Sequence, residues 1–172
     1  MNLLEIFFIV IILFHAFLML VDEFYCHKKR WLPKWERVGH PVDTACFLLC
    51  YILVIFFPMN KAIFFVFLIN AVFSCFLIVK DEAVHLKYAN SFEQYLHALL
   101  FVLHPVILCI LFFSWSLFAK SEFLFFNYFD FKLLKYVILT QFILAIIFFW
   151  YQIIYWNFVI KDNVYDAKRN SK

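Results

Sequence analysis

A chain of 172 residues in which 67% are apolar, 16% are charged and one is glycine is too apolar for a soluble domain, which is nearer half apolar and a quarter charged. Its 27 phenylalanines would sit in lipid at little cost, whereas water would force their burial. The net charge is +3, the five cysteines form no CxxC pair, and no phosphate loop, Ser-His-Asp arrangement or nucleic-acid module is present, which sets aside a disulfide framework, a nucleotide enzyme and a nucleic-acid partner.

A membrane-crossing helix needs about 20 mostly apolar residues. Five stretches meet this length or approach it, so the predicted fold is an all-α integral membrane protein, a single domain over residues 1–172. The first predicted span, Leu3–Val21, carries Glu5 and His15; with no basic segment before it and no small-residue cleavage site after it, it is expected to be retained rather than cleaved as a signal peptide. A polar segment follows, with Asp22, Glu23 and His27, then a basic stretch around Trp31 and Trp35 suited to anionic headgroups, then Glu36, His40, Pro41 and Asp43. The second and third predicted spans, Val42–Met59 and Ala62–Val79, are parted by a chain reversal at Pro58 to Lys61. A second polar segment brings Asp81, Glu82, His85 and Glu93. The fourth predicted span, Leu96–Phe118, holds His97 and His104, with Pro105 freeing the Phe101 carbonyl for a kink. In the fifth, Leu133–Ile160, Trp150, Tyr151, Tyr155 and Trp156 suit an interfacial belt, while Gln141, Gln152 and Asn157 are expected to line the interior.

Lysine and arginine decide the expected orientation. Eleven fall in the segments 22–41 and 80–92 and the tail after Ile160, against Lys61, Lys120, Lys132 and Lys135 in the segments between. Five spans put these two groups on opposite faces, so the N-terminus is expected outside and both polar segments and the tail in the cytoplasm, as in a bacterial inner-membrane protein.

The candidate chemistry lies in the polar segments. Residues three or four apart share a helix face. Glu23/His27, Glu36/His40 and Glu93/His97 are four apart and Glu82/His85 three apart, the last being the Glu-x-x-His spacing by which di-iron bundles hold two metals. Each segment also reads as an acidic pair (Asp22-Glu23, Asp81-Glu82), then a histidine, then a glutamate with a histidine four later, a loose internal repeat. On the fourth span Glu93, His97 and His104 fall within about 40° of one stripe. On the first, His15 and Asp22 form a stripe, with Glu23 and His27 about a quarter turn away. The predicted metal ligands are therefore His15, Asp22, Glu23, His27, Glu36, His40, Asp81, Glu82, His85, Glu93, His97 and His104. The first and fourth spans should be antiparallel neighbours, with His15 facing His104 and Asp22/Glu23 facing His97.

Imidazole with carboxylate and no thiolate suits iron above all, then manganese or zinc. The set is large enough for two ions, and the ligand chemistry resembles that of the soluble di-iron carboxylate proteins and, more distantly, of histidine-box membrane desaturases and hydroxylases, whose clustered boxes are absent. The expected function is a non-haem di-iron oxidoreductase acting on a lipid or other apolar small molecule, with membrane lipids around it, a redox partner supplying electrons, and Glu93 or Glu82 moving protons. The alternatives are a metal-ion transporter, a haem-binding electron carrier using His15 and His104, and a small assembly subunit.

Overall fold

In a computed structural model of the chain, residues 2–30, 32, 34–119 and 131–160 are described, with residues 30, 34 and 80–88 described in backbone alone. Helix α1, Leu3–Val21, runs on through a π-helical turn, Asp22–His27, into the short α2, Lys28–Arg30. Then come α3, Lys34–Phe56, α4, Lys61–Tyr88, and α5, Ser91–Phe113, which closes in a 3-10 turn at Trp115–Leu117. Helix α6, Lys132–Ile154, ends in a second π-helical turn, Tyr155–Val159. Among the described residues there is no β-strand, and five helices are long and apolar enough to cross a membrane.

The helices differ from the apolar stretches at their polar ends. α3 begins at Lys34 rather than Val42, so Glu36 and His40 lie on the same helix as the second apolar stretch. Pro41 sits inside that helix and cannot bond the Arg37 carbonyl one turn back. The Asn157 amide from α6 donates to that carbonyl at 3.5 Å, so a partner helix supplies what proline removes. α4 continues past Val79 to Tyr88. α5 starts at Ser91, before Leu96, because the Asn90 side chain accepts from the Glu93 amide at 2.9 Å and caps the helix. It stops at Phe113 rather than Phe118: the Ser114 hydroxyl turns back onto the Ile110 carbonyl at 2.7 Å, and the chain tightens into the 3-10 turn. The reversal at Pro58 is present, with Asn60 capping α4 through the Ile63 amide at 3.0 Å.

The five long helices close a ring. α1 packs on α5 and α6, α3 on α4 and α6, and α4 on α5, while α3 also meets α5 across the middle. The larger apolar core fills the half away from the π-turns, where Ile12, Tyr51, Val54, Phe67, Ile107, Leu111 and Ile138 meet beneath Trp115. Outward stand Phe7, Phe17, Phe65, Phe76, Ile147 and Trp150, all exposed, an outer face that lipid tolerates and water would not. Polar side chains tie helix to helix. The Asn70 amide donates to the Cys46 carbonyl at 2.7 Å, and the Thr44 hydroxyl to Gln152 at 2.8 Å. Gln152 and Asn157, expected to line a site, are thus bonded across the α3–α6 seam. At the far end the buried Glu5 of α1 accepts from the Leu133 and Leu134 amides at 2.9 and 3.2 Å, satisfying the first turn of α6.

Candidate metal centre

The π-helical turn at the end of α1 decides the geometry. At 3.6 residues per turn, residues five apart point about 140° away from each other. In a π-turn the hydrogen bond runs from i to i+5, which brings such residues onto one side. Asp22 and His27 are five apart, and His27 Nε2 lies 3.2 Å from Asp22 Oδ2. Glu23, four before His27, meets the other ring nitrogen: its Oε2 is 3.3 Å from His27 Nδ1. One wide turn therefore puts a carboxylate on each nitrogen of a single imidazole.

α5 supplies the other half. With the α5 cap held by Asn90, the Glu93 side chain is left to point inward, where it is buried. His97, one turn on, places Nε2 2.9 Å from Asp22 Oδ1. One donor atom each from Asp22, His27, Glu93 and His97 lies within 4.8 Å of the others, and three of these residues are buried and His97 nearly so. First-row metals bind nitrogen and oxygen at ~2.0–2.2 Å, so a tetrahedral set has donors ~3.4 Å apart. Shifts of under ~1 Å would close this group on an ion, and two imidazoles with two carboxylates match that chemistry. The residues fit a metal.

Around this group stand other predicted residues. The His40 ring, from α3, is centred 4.8 Å from that of His27. Glu36 is fully buried one turn before it. Glu23 Oε1 accepts a hydrogen bond from the Trp156 indole of α6, so Glu23 turns toward His27 and α6 rather than toward His97, where the sequence reading put it. The side chains of Asp81, Glu82 and His85 lie outside the described residues.

His15 and His104 do face each other, with ring centroids 6.4 Å apart, and α1 and α5 are neighbours. They are nonetheless outside the four-donor group. Leu18, Leu96 and Leu100 pack between their layer and that of Asp22 and His97. His104 Nε2 instead lies 2.9 Å from the Ser74 hydroxyl, which donates to Asp43 at 3.1 Å, and the Phe47 ring is centred 5.9 Å from His15 and 4.9 Å from His104. The carboxylate here sits on the serine and not on the histidine, so this chain is not a nucleophilic triad. None of the five cysteines is in a disulfide; Cys26 and Cys50 are buried, which suits small packing residues.

Sequence reasoning missed two participants, Ser74 and Trp156. Nothing in their local spacing marks them, since each is brought in by tertiary contact alone. No family model, curated protein or solved structure matches this chain.

Proposed function

We propose that this chain is a multi-pass membrane metalloprotein, with Asp22, His27, Glu93 and His97 as its metal ligands at the cytoplasmic end of the bundle. The observation that carries the reading is the convergence of those four donors from two antiparallel helices inside an apolar chain, where ionisable groups are costly and usually functional. Iron is the favoured ion, since two histidines with carboxylate suit non-haem iron, and manganese or zinc would fit the same donors. A second ion would draw on Glu36 and His40 with Asp81, Glu82 and His85.

The reaction we favour is oxidation of a lipid or other apolar molecule. The bound metal would supply the redox and Lewis-acid chemistry that side chains lack. Glu93, or Glu82 at the end of α4, would move protons between the site and water. A cavity of about 590 Å³ between α4 and α5, lined by Phe67, Cys75, Phe101, Pro105 and Phe112 among others, is large enough for a long acyl or isoprenoid chain. Its lining includes Cys75 and Pro105, the sequence neighbours of Ser74 and His104.

Other readings fit the geometry less well. A transport pathway needs polar groups continuing to the far end, but Asn70 and Ser74 are bonded between helices. A haem held by His15 and His104 would have to displace Phe47, which lies against both rings. The test is metal analysis with an optical spectrum on detergent-purified protein. Iron at one to two ions per chain without a Soret band is the expected result. A Soret band would mean the haem reading, and protein that takes up no metal on titration would leave Asp22 as a polar clasp between two histidines.

A further inference from the structure

The metal reading leaves unexplained why a tryptophan on the last helix is buried against a carboxylate on the first. Trp156 is 1% exposed, Glu23 1% and His27 2%. The indole N–H is a donor only, so Glu23 must accept. With Oε1 held by Trp156, Oε2 is fixed against His27 Nδ1 at 3.3 Å. A carboxylate at Nδ1 places the ring proton there and leaves the Nε2 lone pair on the side of Asp22, the arrangement by which outer carboxylates orient metal-binding histidines.

Trp156 is itself held from several directions. It sits in the π-helical turn Tyr155–Val159, its carbonyl accepts from Arg37 of α3 at 3.5 Å, and its ring meets Tyr155 edge-on at 5.1 Å. The hydrogen bond from Trp156 to Glu23 thus joins the two π-turns. We propose that Trp156 is a positioning residue for the metal centre: from α6 it fixes Glu23, which sets the tautomer and ring orientation of His27. The inference rests on the metal reading above and adds to it an outer link on a helix that contributes no ligand to the four-donor group.

The test is Co(II) titration of the full-length protein in detergent, read by the visible d–d bands, which report coordination geometry as well as occupancy. Trp156→Phe keeps the ring and removes the N–H. It should weaken Co(II) binding roughly tenfold or more and alter the d–d spectrum. Trp150→Phe, on the exposed outer face, should change neither. Glu23→Gln is the second variant, for use if Trp156→Phe does not fold. Its amide oxygen can still accept from the indole, but its NH₂ then faces Nδ1 and forces the proton onto Nε2, the wrong tautomer for binding. It too should lose at least tenfold in affinity. Wild-type affinity and spectrum in Trp156→Phe, or in Glu23→Gln, would overturn the positioning role and leave the metal site standing. Failure of the wild-type protein to bind Co(II), Fe(II) or Zn(II) would overturn the metal reading itself.

Discussion

Asp22 is the residue on which the centre turns, because its two oxygens face two histidines from different helices at 3.2 and 2.9 Å. A buried carboxylate is tolerable when it is paired, and removing one partner of such a pair typically costs ~3–5 kcal/mol. Asp22→Asn keeps the shape and loses the charge, and should abolish most metal uptake while the protein still inserts. His97→Ala and Glu93→Ala should each lower bound metal at least tenfold, measured by elemental analysis of purified protein. Normal metal content in both would leave the α5 stripe with a packing role. The α5 members of the group could be read from sequence, since Glu93 and His97 lie on a regular helix where four-residue spacing means a shared face. The Asp22–His27 pair could not. Alpha-helical counting sets them on different faces, and nothing in the segment Asp22–His27 announces a wider turn.

At the scale of the element, the sequence marked where five apolar helices lie and misjudged how far they run. Apolar length finds the stretch that lipid must cover, but a helix continues for as long as its backbone is satisfied. Lys34 to Pro41 and residues 80–88 are polar and still helical. The ties between helices are individually weak. Thr44→Val, which removes the bond to Gln152, should lower stability by about 0.5–1.5 kcal/mol, as expected for interhelical hydrogen bonds in membranes, and leave metal binding unchanged. Glu5→Gln should cost more, roughly 1–2 kcal/mol, because it removes a charge from the first turn of α6 as well as weakening two hydrogen bonds. Both are measurable as shifts in the SDS unfolding midpoint of purified protein, and an unshifted midpoint in Glu5→Gln would show the contact to be idle.

At the scale of the whole molecule, charge and geometry concern the same end. The four-donor group sits where α1 ends and α3 and α5 begin, beside the segments 22–41 and 80–92, which hold seven of the fifteen lysines and arginines. If those segments are cytoplasmic, a reporter fused after Lys172 should be active on the cytoplasmic side and one inserted between Lys120 and Lys132 on the outer side. The reverse pattern would put the centre on the outer face. The closed ring has a further consequence through its parity. Helices that alternate in direction can all be antiparallel to their neighbours when their number is even. In a ring of five, one adjacent pair must run the same way, and here that pair is α1 and α6. Their macrodipoles lie side by side with both positive ends together, an unfavourable arrangement where the dielectric constant is low. Glu5 lies at that crowded end, on one of the two helices and bonded to the first turn of the other. Its negative charge neutralises the frustration that an odd number of helices builds in.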